Sequence, residues 1–177
     1  MDITFSPFPV LETERLLLRQ PTNADVTSLY MLRSDITVNK YIGREPPQDV
    51  GAVSAFISKI NKAIEANESL YWVITIKPDM SLVGTICLWN FSDDKKTAET
   101  GYELMPSYQG KGIMDEALGE MINYAFGKLK LHAIDAFTHR ENKASAKLLE
   151  KQGFNLIVER KDEEVPDNII FQLSNSV

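Results

Sequence analysis

The sequence predicts an α+β fold: one mixed, mainly antiparallel, twisted sheet of about seven strands, flanked by helices. Three observations carry that reading. The β-rich runs 70-LYWVITI-76, 82-LVGTICLWNF-91 and 97-TAETGYELM-105 follow one another across short polar connections, as in an antiparallel meander. A strand, a helix-period stretch and another strand then succeed each other between residues 97 and 139, which implies one parallel pairing within the sheet. Helical and extended segments interleave along the whole chain, with no internal repeat and no low-complexity tract.

Each element has its own signal. After a Pro-bearing lead, Leu11 to Arg19 reads as a strand with Leu16 and Leu18 on one face; Pro21-Thr22-Asn23 breaks it and caps a helix from about Ala24 to Arg33. The doubled proline of 43-GREPPQDVGA-52 marks a loop. From Val50 to about Glu65, Val53, Phe56, Ile57, Ile60 and Ile64 keep helical spacing. Beyond the meander, Ile113, Met114, Ala117, Leu118, Met121, Ile122, Ala125 and Phe126 draw one wide apolar stripe that ends at Gly127, so this helix packs on the sheet. The chain closes with a strand at 131-LHAIDAFTH-139 and a short helix at 142-NKASAKLLEKQG-153, with Asn142 as N-cap and Gly153 as C-terminal stop. Two strands follow, at 154-FNLIVER-160 and 168-NIIFQL-173, joined by an acidic loop with Pro166.

With 177 residues and 44% hydrophobic content, residues 1–177 are expected to bury the core of one domain. A net charge of −6 argues against nucleic acid, because phosphate neutralisation needs clustered Lys and Arg. It weakly favours cationic substrates such as amines, although salt screens that field within roughly 8 Å. The single cysteine, Cys87, has no internal disulfide partner, and MDITFSPFPV lacks the basic and apolar regions of a signal peptide, so a cytoplasmic location is expected. No apolar segment approaches membrane-spanning length and no His/Cys cluster has metal spacing, so neither a membrane nor a metal is expected.

The stretch 107-SYQGKGIMDEAL-118 puts two glycines around Lys111 at the start of a helix. A helix start leaves unpaired N–H groups and a partial positive charge, and glycine lets an anion come close, so a phosphate-bearing ligand fits here as well as an ordinary loop-to-helix junction does. It is neither of two familiar nucleotide loops. A Walker A loop needs Ser or Thr after its Gly-Lys, where Gly112 stands, and a Rossmann fingerprint would put its third glycine at Asp115.

The segments 98-AETGYELMP-106, 109-QGKGIM-114 and 142-NKASAKLLEKQGF-154, together with the opening 12-ETERLLLRQPTNAD-25, resemble the GNAT superfamily of acetyl-CoA-dependent N-acetyltransferases, in particular its RimJ/RimL-like branch. The resemblance covers nearly the whole chain. The family pattern of Gln or Arg, two residues, Gly, one residue, then Gly or Ala is met by Gln109 and Gly112, with Met114 in the last place, as is common in that branch. The resemblance implies that the backbone N–H groups of Gln109, Gly110, Lys111, Gly112, Ile113 and Met114 hold the CoA pyrophosphate. It also implies that the fourth strand splays from the fifth, so that the pantetheine arm lies beside Leu104 and Met105, where a backbone amide near Met105 polarises the thioester carbonyl. Asn142 contacts the arm from the other side or simply caps its helix, and Ser145 aligns with a serine that is sometimes the acid for the departing thiolate.

Acetyl transfer needs a free-base amine. An α-amino group of pKa about 8 costs only about 1.4 kcal/mol to deprotonate at pH 7 and lysine about 4.6, so an N-terminal amine needs little more than a water-linked base. Period-two geometry puts Glu99, Gly101 and Glu103 on one face of the fourth strand. Glu99 matches a position that is the general base in some members of the superfamily and ranks first; Glu103, nearer the splay, ranks second. The loop from Tyr41 to Pro47, the early helices and the third strand should form the acceptor side, with Tyr30, Trp89 and Asn90 as contacts. His139 stands near the cofactor as a titratable or a structural group, and Cys87 reads as a buried inert thiol.

Three functions follow from these residues. The first is acetylation of a protein N-terminus, by analogy with ribosomal-protein acetyltransferases. The second is acetylation of a small amine such as a polyamine, amino acid or antibiotic. The third is a CoA-sensing module without catalysis. Homodimers are common in such enzymes, and nothing in these residues decides the point.

Overall fold

The computed structural model describes residues 3–176. Eight strands, β1 (Leu11–Glu12), β2 (Leu16–Arg19), β3 (Leu70–Ile76), β4 (Ser81–Trp89), β5 (Thr97–Leu104), β6 (Ala133–His139), β7 (Asn155–Leu156) and β8 (Asn168–Ser174), form one sheet in the order β1-β2-β3-β4-β5-β6-β8-β7. Five α-helices cover it: α1 (Val26–Ser34), α2 (Ile36–Asn39), α3 (Val50–Glu65), α4 (Ile113–Gly127) and α5 (Lys143–Lys151). All pairings are antiparallel except β5 with β6.

Three local differences from the sequence reading have physical causes. Leu11 to Arg19 is a hairpin of β1 and β2, because Thr13 turns the chain by pairing its N–H with Leu16 O and accepting the Leu16 N–H at its hydroxyl, both at 3.0 Å. The run 154–160 keeps only two residues in the sheet, because Arg160 N–H turns back to Ile157 O and the Arg160 guanidinium is drawn to Asp135 at 2.7 Å. Helix α2 has no apolar rhythm; Asp35 creates it by accepting the N–H groups of Thr37 and Val38 at 2.8 and 2.9 Å.

β3 is buried on both faces and therefore separates two layers. Trp72 packs edge-on against Tyr124 of α4 at 6.0 Å on one face, and Tyr71 packs edge-on against Phe56 of α3 at 5.6 Å on the other. The registers Trp72↔Ile86↔Tyr102 and Tyr71↔Cys87↔Gly101 carry this division across the sheet. Side chains of Glu99, Gly101 and Glu103 therefore belong to the α3 side, and the Tyr102 side chain to the α4 side. The apolar stripe of α4 lies in the core, with Ala117, Leu118, Met121 and Ala125 fully buried.

The parallel pair does not run the full length of its strands. β5 and β6 are in register from Thr97↔Ala133 to Thr100↔Ala136 and then part, while β5 continues beside β4 to Leu104 and β6 beside β8 to His139. A gap opens between residues 101–104 and 137–139. Among the described residues no helix is long and apolar enough to cross a membrane, and no three His, Cys, Asp or Glu side chains cluster to hold a metal ion.

Candidate active site

The turn between β5 and α4 prepares a row of free donors. After a 3-10 turn at Pro106–Tyr108, Gly110 and Gly112 take left-handed φ values of +72° and +75°, and α4 starts at Ile113. Among the described residues, no backbone N–H from Gly110 to Asp115 has a protein acceptor. The Gln109 side chain steadies the turn by donating to Leu104 O at 2.9 Å. Side chains of Ile113 and Met114 point into the core, so the larger Met114 in the last place of the glycine pattern leaves the donors uncovered. Lys111 has its Nζ 5.7 Å from the Tyr108 ring centroid. A diphosphate fits such a row, with the N-terminal dipole of α4 behind it. Replacing Gly112 by Ala strains a left-handed residue by about 1–2 kcal/mol and brings a methyl within 3.4 Å of Arg15 Nη2. Calorimetry should therefore find acetyl-CoA binding weakened about tenfold in this variant, because distortion of the turn misaligns its donors.

Arg15 was not a candidate in the sequence. It bonds Glu116 of α4 through Nε at 2.6 Å and donates Nη1 to Lys111 O at 2.8 Å, while its backbone N–H also reaches Glu116 at 2.9 Å. The β1–β2 hairpin thereby braces the glycine turn. No local signal marks this contact, since the partners lie 101 and 96 residues apart.

The gap between β5 and β6 holds a second set of donors. Met105 N–H donates to Val83 O at 2.8 Å and is committed to the sheet. Alternation then turns the backbone groups of Tyr102 and Leu104 toward the gap. The amide near Met105 that faces the gap is therefore that of Leu104.

Two cavities lie on the α3 side of the sheet and share Glu99 and Phe137. One, of about 440 Å³, is lined by Tyr71, Cys87, Trp89, Gly101 and Glu103, with Asn142 and Ser145 at the gap. The other, of about 450 Å³, runs past Asn90, Asp93, Asp135 and Arg160. Glu99 accepts a hydrogen bond from Asn90 Nδ2 at 3.3 Å. Burial holds its carboxyl above the ordinary range against the lowering pull of Asn90, with repulsion from Asp135 and Asp162 adding to the rise. Glu103 instead bonds Arg44, from the loop before α3, and this pair is largely buried.

On the α4 side of the same strand, the Tyr102 hydroxyl bonds the Ser145 hydroxyl at 2.7 Å, and burial pushes the phenol up to about 12. Tyr102 is absent from the sequence reading, because its partner Ser145 lies 43 residues away. Asn142 is the N-cap of α5, its Oδ1 accepting Ser145 N–H at 3.2 Å, and it also lines the cavity. Trp89 is half exposed at the cavity mouth. Tyr30 does not reach either cavity; it packs against the core from α1. His139 lines the cavity with its ring against Tyr41 at 5.3 Å and its Nδ1 accepting Glu141 N–H at 3.1 Å. The Cys87 thiol is pushed up to about 12 by burial, as suits an inert thiol.

A mixed sheet whose one parallel pair parts midway, with a left-handed glycine turn and a free helix start beside the opening, defines the class of acetyl-CoA-dependent N-acetyltransferases. The chain belongs to the acetyltransferase (GNAT) family, whose domain model matches residues 15–155. It is 31% identical over 147 residues, 83% of either chain, to the Bacillus subtilis (strain 168) protein named "Uncharacterized N-acetyltransferase YoaA". Among solved structures, the ribosomal-protein-S5-alanine acetyltransferase of Vibrio fischeri superposes with a TM-score of 0.78 at 24% identity, covering 95% of this chain and 97% of that one. Mycobacterium smegmatis RimJ, in complex with CoA-disulfide, gives 0.77 at 20% identity, covering 94% and 86%.

Proposed function

We propose that this N-acetyltransferase acts on the α-amino group of a protein N-terminus; the Vibrio fischeri structure, similar in fold, is named a ribosomal-protein-S5-alanine acetyltransferase. The observation that carries the reading is the position of Glu99 on the common wall of two cavities that adjoin at Glu99 and Phe137. An extended peptide can occupy two adjoining cavities; a small metabolite needs only one.

Acetyl-CoA supplies the activated thioester carbonyl, and the donors from Gly110 to Asp115 hold its diphosphate. The N–H groups of Tyr102 and Leu104 face the gap as hydrogen-bond donors to that carbonyl. Glu99 stands three residues from Tyr102, about 10 Å along the strand, so it withdraws the ammonium proton through water. A raised carboxyl is a better base for this than an ordinary one, and an amine of pKa about 8 asks little of it. Tyr102 and Ser145 sit on the opposite face, on the departing sulfur's side. A thiol near 8.5 is a stronger acid than a phenol at about 12, so this pair steadies the thiolate by hydrogen bonding rather than by full proton transfer.

The test is release of free thiol from acetyl-CoA, screened against short peptides beginning with Ser, Ala or Met and against polyamines, free amino acids and aminoglycosides. Turnover of the peptides, lost when their α-amine is blocked, is the expected result. Turnover confined to a small amine sinks the N-terminal reading, and silence with every acceptor despite tight CoA binding makes the chain a sensor.

A further inference from the structure

We infer that Arg44 and Glu103 together read the first residue of the acceptor, the guanidinium taking a carbonyl or carboxylate oxygen and Glu103 an N–H. This rests on the N-terminal reading above and specifies how the acceptor is recognised. The pair is joined through Arg44 Nη1 and Glu103 Oε1, and the side chains are only 18% and 10% exposed. Yet among the described residues Arg44 Nε and Nη2 are buried without any hydrogen-bond partner, and so is Glu103 Oε2. Both residues line the cavity that also contains Glu99 and Gly101. Buried polar atoms are nearly always paired, so unpaired atoms on two joined residues of one cavity wall mark a place where something else supplies the partners.

The pattern of the orphans says what that is. Nε and Nη2 form one edge of the guanidinium fork, which matches a carbonyl or carboxylate oxygen in the plane of the group. Oε2 accepts and cannot donate, so it matches an N–H or ammonium. An oxygen acceptor and a nitrogen donor on one small fragment are the two faces of an amino-acid residue. A polyamine has no oxygen to place on the fork. Position agrees: Glu103 follows Tyr102, whose N–H faces the gap, so the groups read by the pair belong to the residue that carries the reacting amine. Glu103 is here a specificity residue, and Glu99 is left as the base.

The experiment compares Ala-Ala-Ala amide, alanine and alaninol, the last being the same amine with its carbonyl reduced away. In the full-length wild-type chain kcat/KM is expected to favour the peptide over alaninol by about 100-fold, because a site built around fixed donors rejects the analogue that leaves them unpaired. Arg44→Lys keeps the charge opposite Glu103 and removes the fork. It should raise the peptide KM about tenfold or more and shrink the preference to within about threefold, with the KM of acetyl-CoA unchanged. A merely structural Arg44 would move all acceptors together. Equal rates on peptide and alaninol in the wild type overturn the inference without any variant, as does an Arg44→Lys protein that keeps the wild-type preference. If alanine is acetylated and the peptide is not, the N-terminal reading fails, and the alanine-to-alaninol ratio decides the inference by the same criteria. Acetylation of polyamines alone overturns both.

Discussion

Glu99→Gln is expected to lower turnover by about 100-fold or more while leaving acetyl-CoA affinity within about twofold, measured by thiol release and by calorimetry. The split follows from geometry. Glu99 lines both cavities on the α3 side of the sheet, while the backbone donors proposed for the cofactor lie in the turn after β5 and at the gap. The pH dependence carries the same assignment. The folded chain holds the Glu99 proton more tightly than an ordinary carboxyl does, so the acid limb of kcat/KM should lie above the ordinary carboxylate range and vanish in the variant. For stability the sign is opposite to that of an ion-paired carboxylate. A raised carboxyl contributes stability below the unfolded pKa and loses it as pH rises through the folded value, so at neutral pH the ionised, half-buried Glu99 is a cost to the fold. The glutamine protein should therefore melt no lower than wild type at pH 7 although it is nearly inactive. Wild-type rates from about pH 6 to 9 would remove Glu99 from the role of base.

The shared face of Glu99, Gly101 and Glu103 was readable in the sequence because it needs only period two along one strand. The same is true of α3, whose bounds Val50–Glu65 are those its apolar rhythm predicts, and of the glycine turn, where two left-handed residues had to be glycines. What the sequence hid is long-range or depends on register. Arg15 finds Glu116 across 101 residues, Arg44 finds Glu103 across 59, and Tyr102 finds Ser145 across 43. The choice between Met105 and Leu104 as the free amide is a one-residue matter of which neighbour β5 bonds on each side, and only the β4 pairing fixes it. Tyr30 packs against the core from α1, as an aromatic on a helix near a core commonly does.

Gly84→Ala is expected to destabilise the fold by about 2–4 kcal/mol and to lower the thermal midpoint by roughly 5–15 °C, more than any other glycine replacement in the sheet. Gly84 lies opposite Leu104 at the last pair of β4 and β5, beside the register irregularity at Ile74 and Thr75 of β3. A Cβ built there would sit 2.3 Å from Glu103 O and 3.2 Å from Leu104 Cα, both backbone atoms that no rotamer change can move aside. β5 must therefore shift away from β4 at the point where it has already left β6. Such a shift breaks the Met105 N–H bond to Val83 O and carries the Leu104 amide out of line, so acetyl-CoA binding should fall with stability. Gly101→Ala is the control. Its Cβ would meet only Cys87 Sγ at 3.6 Å, an ordinary contact with its partner across β4, and its midpoint should stay near wild type. A Gly84→Ala protein that melts within about 2 °C of wild type would mean that β5 is free to move at Leu104. In that case the fixed opening between β5 and β6 could not be what aligns the donors for acetyl transfer.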